Sequence, residues 1–398
     1  MDRVPHIVNQ QAGDDQEIAV SAVIPCLNEA RTLSACILKA QRSFAELGVR
    51  GEVVVADNGS TDASVEIARR LGARVVLQPV RGYGAALQAG IRAASGRIIV
   101  MGDADDSYDW GSITPFVRKI EEGFDLVVGN RFQGGIQPGA MPALHRYLGN
   151  PILSTIARVA FRMDIGDVHC GMRAFTKNAF ERMQTSTLGM EFATEMIANA
   201  SRQNLRLTEI PTRLYPDKRD RPPHLRSFRD GWRHLRFILT YAPDHLYVAP
   251  GVLLLAVGVL LQLLLARGPL DIGPFHLGIH FLALGAMLTL IGFNVLNLGV
   301  LAKTVMVQRY KGLRSRVVSL IEKRFTLEAG LIAAGCLILT GLAIDAAILG
   351  RWLADPGQPM DSTVHLAFVA STAVVLGANL AFSSFLLNMI LDAHERAA

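Results

Sequence analysis

Four long apolar stretches constrain this chain more than any other feature. They lie at about 246–266, 276–302, 326–350 and 363–391, and each reaches or exceeds the roughly 20 residues a helix needs to cross a bilayer. Hydrophobic residues make up 50% of the 398, and they are unevenly spread. Residues 1–240 have ordinary charge density, whereas most of 246–391 is apolar. Gly268-Pro269, Gly273-Pro274 and Pro356-Gly357 stand between the stretches and predict tight connections, hence four transmembrane helices in two hairpins. The connection around 303–324 carries Lys303, Arg309, Lys311, Arg314, Arg316, Lys323 and Arg324. The loops at 267–274 and 351–362 hold only Arg267 and Arg351, with three Asp. The positive-inside rule then places the basic connection, both termini and the whole N-terminal domain in the cytoplasm. No apolar run of signal-peptide length precedes residue 18, in keeping with that expectation.

The expected organisation is a tail at 1–17, a catalytic domain at 18–216, a basic juxtamembrane segment at 217–245, the membrane domain at 246–391 and a tail at 392–398. Segment 217–237 has seven Lys/Arg against three Asp, interleaved with Leu225, Phe228, Trp232, Leu235 and Phe237. From Ser227 onward it can form an amphipathic helix at headgroup level, attracting anionic lipid. Glu328, Asp345 and Asn294, Asn297, Asn379 and Asn388 interrupt the apolar stretches. They read either as a path for a lipid phosphate or as helix–helix hydrogen bonds. The formal charge of +5 admits nucleic acid, an anionic membrane or phosphorylated substrates as partners. Crowding of Lys and Arg near the apolar stretches favours the last two, and no nucleic-acid partner is expected, since no nucleic-acid-binding motif is present. Cys26, Cys36, Cys170 and Cys336 have no metal-ligand spacing and read as reduced thiols.

Upstream, short β-branched runs alternate with helical periodicity. Strands are predicted at 18–25, at 52–62 running into a turn, at 73–78 and at 97–105, and helices at 29–47, 62–71 and 84–94. This is an α/β domain with a mainly parallel sheet, whose ligands bind beyond the carboxyl ends of the strands. Asp57, Asp103 and Asp105 fall there. Two carboxylates one residue apart can share a divalent cation with a diphosphate, or can form a solvated acidic turn. Asp57 can accept from a base or ribose, or close its own turn. Asp62 reads as a helix cap. Arg131 and Arg173 carry guanidinium forks that match phosphate oxygens. Glu191 and Glu195 share a helix face and read either as acceptor-site groups or as solvated carboxylates.

Val23-Ile24-Pro25-Cys26-Leu27-Asn28-Glu29, Val55-Ala56-Asp57-Asn58-Gly59-Ser60-Thr61-Asp62 and Gly102-Asp103-Ala104-Asp105 together resemble glycosyltransferase family 2, whose nucleotide-sugar-binding fold is called GT-A. Gly129-Asn130-Arg131-Phe132 and Cys170-Gly171-Met172-Arg173-Ala174-Phe175 are most similar to its dolichol- and polyprenyl-phosphate sugar synthase branch. The resemblance covers about 20–245. It implies that Pro25 and Glu29 line the nucleotide pocket, that Asp57 contacts base or ribose, and that Asp103 and Asp105 hold Mg²⁺ or Mn²⁺ with the diphosphate. It further implies phosphate contacts for Arg131 and Arg173, a donor-side segment Gly82-Tyr83-Gly84 with Arg81 beside it, and Asp105, Arg131 and Arg173 as catalytic. Lys218 is a candidate substrate contact in a loop near the site. Asn58 departs from the family's acidic residue, and Cys170-Gly171-Met172 from its Ser-Gly-Phe. The implied activity is inverting transfer of a hexose from UDP-glucose or GDP-mannose to a polyprenyl phosphate. A polysaccharide or glycolipid synthase of the same fold and a non-catalytic scaffold are the alternatives, and no Q-x-x-R-W segment of a processive synthase is present. Paired membrane helices also suit a homo-oligomer.

Overall fold

The computed structural model describes residues 18–218, 227–309, 315–355 and 361–395. The expected tail at 1–17, Arg219, Arg221 and Leu225 of the basic segment, and Lys311 and Arg314 of the basic connection lie outside the described residues. The chain forms two compact units that meet between Ile238 and Leu239.

The first unit begins with β1 (Val20–Cys26), α1 (Leu33–Leu47), β2 (Gly51–Asp57), α2 (Ser64–Arg70), β3 (Arg74–Leu77), α3 (Tyr83–Ala93) and β4 (Ile98–Met101). The residues of β1 and β4 are nearly all buried, as expected for strands covered on both faces. Helix α1 starts four residues later than periodicity predicts. Asn28 adopts a left-handed conformation (φ 57°), and Glu29–Thr32 form a turn before the helix begins. Asp62 likewise stays outside α2, where it accepts from the Ser64 amide and hydroxyl (3.0 and 2.6 Å) and from the Ala30 amide (3.0 Å).

After β4 come α4 (Thr114–Glu121), β5 (Leu126–Asn130), α5 (Arg131–Gly134), α6 (Asn150–Phe161), β6 (Arg173–Thr176), α7 (Lys177–Met183), α8 (Phe192–Arg202), β7 (Leu207–Pro211) and α9 (Ser227–Tyr241). The seven strands lie in the order β3-β2-β1-β4-β6-β5-β7. Only β6 runs against its neighbours, β4 and β5; the other pairs are parallel. This is the mainly parallel α/β sheet expected of GT-A.

Register decides what meets at one edge. Cys26 pairs with Asp57, so β1 and β2 end level, while Met101 pairs with Val23, so β4 ends three residues earlier and its acidic turn begins beside the last residues of β1. Because β6 is reversed, its first residue, Arg173, lies opposite Met101 and Val128. Asn130 pairs with Pro211, which brings the chain after β7 to the same edge. Five chain segments far apart in sequence thus converge beyond β4.

The second unit contains α10 (Ala249–Leu265), the short antiparallel pair β8 (Leu270–Ile272) and β9 (Phe275–Leu277), α11 (Ile279–Arg309), α12 (Arg316–Arg324), α13 (Leu327–Ala354) and α14 (Asp361–Glu395). Among the described residues, four helices are long and apolar enough to span a membrane: 244–265, 279–308, 327–354 and 363–392. Close approach at glycines builds each hairpin. Gly258 faces Thr289 and Gly292 faces Leu255 in the first, while Gly341 faces Ala370 and Gly377 faces Ala334 and Ile338 in the second. In a bilayer such approaches replace the hydrophobic driving force available in water. Polar side chains tie the helices further. Gln262 donates to Thr289 (2.7 Å), Asn297 to Ser383, and His365 bonds the Leu265 carbonyl (2.7 Å). Asn294 and Asn388 instead bond within their own helices. The basic connection, predicted as a loop, holds a helix of its own, α12, capped by the Ser315 hydroxyl at the Val318 amide.

Candidate active site

The acidic turn follows β4 directly. The indole of Trp110 donates to the Asp103 carbonyl (3.0 Å), the Cys36 thiol contacts the Ala104 carbonyl (3.5 Å), and the Ser107 amide donates to Asp105 Oδ1 (3.0 Å). Trp110 is fully buried, so the turn is braced from beneath by a large rigid ring. Tyr83, at the start of α3, donates its hydroxyl to Asp103 Oδ1 (3.0 Å). Burial first, then the Asp103 charge, raises the Tyr83 pKa well above its ordinary value, which keeps the hydroxyl a donor. Gly171 lies on the other side of Asp103: a Cβ there would stand 2.8 Å from Oδ2. The Gly171 amide donates to the Tyr108 hydroxyl (3.0 Å). The space beside Asp103 is therefore kept open by an absent side chain and a fixed backbone.

Asp103 and Asp105 offer hard oxygen donors. No third His, Cys, Asp or Glu joins them in a metal-binding group among the described residues. The pair fits Mg²⁺ or Mn²⁺, ions that take few protein ligands and fill the rest of their shell with phosphate oxygens and water.

The donor-side segment is held by Asn58. Its amide nitrogen donates to the carbonyls of Gln78 (2.9 Å) and Val80 (2.8 Å), and its oxygen accepts from the Gly82 amide (2.7 Å). A carboxylate could not donate to two carbonyls, which is a physical reason for the departure from the family's acidic residue. Gly82 adopts φ 147° and packs against the Leu188 carbonyl, leaving no room for a side chain. Arg81, beside it, is exposed. Pro25 lies in β1, and Glu29 is buried, its amide bonded to the Ser64 hydroxyl (2.9 Å). Asp57 is buried and accepts from the amides of Gly59 (3.0 Å) and Ser60 (3.2 Å), so its carboxylate closes the turn after β2.

Both arginines are engaged within the protein. The Arg131 guanidinium is buried and pairs bidentately with Asp167, Nε to Oδ2 at 2.6 Å and Nη2 to Oδ1 at 2.8 Å. Arg173 is fully buried and donates to the carbonyls of Cys170 (2.9 Å), Val168 (2.8 Å) and Ala193. Two side-chain N–H groups of Arg131 and three of Arg173, out of five on each, fix the 167–173 loop beside Asp103, so both arginines have a framework role. Lys218 also has a partner, Asp106 (2.6 Å). Glu195 is fully buried and accepts from the amides and hydroxyls of Ser186 and Thr187, shaping the loop that meets Gly82 and Gly84. Neither reading of Glu195 from sequence, acceptor group or solvated carboxylate, describes that position. Glu191 is half-buried.

The sequence reading missed Asp106, Tyr108, Trp110 and Asp167 altogether. A local signal existed for Asp106 alone, which is a third acid in four residues. Asp167 is an acid within the short loop that precedes Arg173, although its partner, Arg131, lies 36 residues earlier. Cys26, Cys36 and Cys170 are free and buried, and burial pushes their thiols up to about 11, 12 and 12.

Residues 21–184 match the glycosyl transferase family 2 model, and residues 300–391 match the glycosyltransferase family 2 C-terminal transmembrane region. The chain is 37% identical over 379 residues to the low-salt glycan biosynthesis hexosyltransferase Agl6 of Haloferax volcanii, covering 94% of this chain and 90% of that protein. It is 32% identical over 163 residues to a dolichyl-phosphate hexose transferase of the same organism, covering 41% of this chain and 69% of that protein. The crystal structure of glucosyl-3-phosphoglycerate synthase from Mycobacterium tuberculosis, in complex with Mn²⁺, UDP and its product, superposes with a TM-score of 0.43 at 22% identity, covering 56% of this chain and 78% of that one. With a near full-length relative of that identity and both parts of the chain matched, the protein belongs to glycosyltransferase family 2.

Proposed function

We propose that this glycosyltransferase moves a hexose from a nucleotide sugar, UDP-glucose or GDP-mannose, onto a polyprenyl phosphate at the cytoplasmic membrane face, with inversion at the anomeric carbon. The observation that carries the reading is the Asp103–Asp105 pair at the edge of the sheet, with Asp103 set between Tyr83 and Gly171, in a chain whose described residues include four helices long and apolar enough to cross a membrane. The dolichyl-phosphate hexose transferase among its relatives supports the acceptor class.

A lipid phosphate is an anion at neutral pH, so its oxygen can attack without surrendering a proton and no general base is required. The task is to hold two anionic substrates together. Asp103 and Asp105 would hold Mg²⁺ or Mn²⁺, which neutralises charge on the departing nucleoside diphosphate. Tyr83 orients the Asp103 carboxylate, and Gly171 leaves the space next to it. Asn58 fixes the Gly82 backbone at the start of α3, beside the exposed cation Arg81. A single displacement converts an α-linked donor to a β-linked lipid phosphate. Helix α9 exposes Arg229, Trp232 and Arg236, as a helix lying among headgroups would.

Purified protein, undecaprenyl phosphate, Mg²⁺ or Mn²⁺ and a panel of radiolabelled nucleotide sugars test the reading. Label entering the lipid phase from one donor is expected. Chelation should abolish it, and Asp105→Asn should lower it by at least about 100-fold, the usual cost of removing a group that stabilises developing charge. Nucleotide binding without transfer to lipid from any donor would overturn the acceptor assignment.

A further inference from the structure

Asp106 follows the acidic pair and has no place in the chemistry above, yet both of its oxygens are engaged. Its backbone is left-handed (φ 59°), which swings the carboxylate out of the alternation set by Asp103 and Asp105. The side chain is 1% exposed, and each oxygen meets its own ammonium: Lys39 Nζ at 2.7 Å from Oδ1 and Lys218 Nζ at 2.6 Å from Oδ2. Lys39 belongs to α1 and also lies 3.8 Å from Asp109. Lys218 belongs to the segment after β7, which runs along the turn: the Tyr215 amide donates to the Ser107 carbonyl (2.9 Å), and Leu214 bridges to Tyr108. One carboxylate therefore joins three pieces of chain far apart in sequence.

We propose that Asp106 is a positioning residue. Its paired ammonium groups clamp the acidic turn between α1 and segment 214–218 and so hold Asp103 and Asp105 in the arrangement that receives the metal–diphosphate. The proposal rests on the reading of that pair given above. Three carboxylates within four residues repel one another, and they would repel an incoming diphosphate as well. Two ammonium groups at Asp106 cancel its charge, and occupying both its oxygens keeps it from acting as a third ligand. Lys39 and Lys218 are in this view counter-ions of the turn. Removing either leaves the other in place, whereas removing both, or removing Asp106, releases the turn.

Direct binding of Mn²⁺ to the purified full-length protein, followed by electron paramagnetic resonance with UDP or GDP present, provides the test. Asp106→Asn is expected to weaken Mn²⁺ binding by at least tenfold. Lys39→Met or Lys218→Met alone should weaken it by less than threefold, and the double variant should match Asp106→Asn. Excess metal should restore most of the transfer rate of the variants, a rescue that plain loss of stability would not give. If Asp106→Asn does not fold, the two lysine variants decide, since both side chains reach the surface. Metal affinity unchanged in the double variant would overturn the proposal. Absence of nucleotide-dependent Mn²⁺ binding in the unsubstituted protein would instead overturn the metal–diphosphate reading on which it rests.

Discussion

Single side chains at this site do work that their residue type alone does not announce. Asn58 uses two donors and one acceptor to fix three backbone groups of the 78–82 segment. Asn58→Asp keeps the shape and loses both donations, leaving two carbonyls unpaired beside a buried negative charge. A loss of about 2 kcal/mol in stability of the catalytic unit is expected, together with a raised KM for the donor. Thermal unfolding and donor titration check this; an unchanged KM would deny Asn58 its hold on the donor-side segment. The Arg131–Asp167 pair teaches the same lesson from the opposite direction. Guanidinium chemistry suits phosphate, yet a carboxylate placed 36 positions along the chain takes the Nε and Nη2 side of the group.

At the scale of elements, α9 and the 167–173 loop share a buried histidine joint. His169 lies edge-on to His234 of α9 with ring centroids 4.7 Å apart, and His234 Nδ1 bonds the Thr194 hydroxyl of α8 (2.9 Å). His169 Nε2 is shielded and has no hydrogen-bond partner among the described residues. Burial, then His234, Arg131 and Arg173, push the His169 pKa well below its ordinary value. The folded protein thus keeps this ring neutral, whereas the unfolded chain takes up a proton near pH 6.5. The stabilisation is complete above that pH and is lost as pH falls below it, by about 1 kcal/mol at pH 5.5. His169→Phe should flatten the fall in unfolding midpoint between pH 7.5 and 5.5. An equal fall in both proteins would place the acid sensitivity elsewhere. Helix α6 has a second apolar side: Ser154, Ala157 and Phe161 are buried, while Ile152 and Val159, and Leu144, Tyr147 and Leu148 just before it, are exposed.

At the scale of the whole molecule, orientation across the membrane is a matter of loop charge. Asp271, in the β8–β9 pair, should be external, and Lys323, at the end of α12, internal. A cysteine replacing Asp271 is expected to react with a membrane-impermeant maleimide in intact cells, and one replacing Lys323 only after lysis. The native background is low, because Cys26, Cys36 and Cys170 are buried and protonated and Cys336 lies within a membrane helix. The reverse labelling pattern would invert the topology.

The division into an α/β unit and a membrane unit, the four apolar stretches and the alternating strands from β1 to β4 can be read from the residues alone. These are written locally: hydrophobic period and length fix an element wherever it packs. Asp103 and Asp105 are located in the same way, because the end of a buried strand is visible in the residues themselves. The remaining features come from long-range packing. The reversal of β6 brings Arg173 and Gly171 to the edge of β4, and the pairing of β5 with β7 brings Lys218 to Asp106. The partners of Arg131, Arg173, Asn58 and Asp106 lie between 3 and 112 positions away. A charge or donor can be read from one residue, but whether it is spent on the fold or offered to a substrate depends on what the fold sets within 3 Å of it.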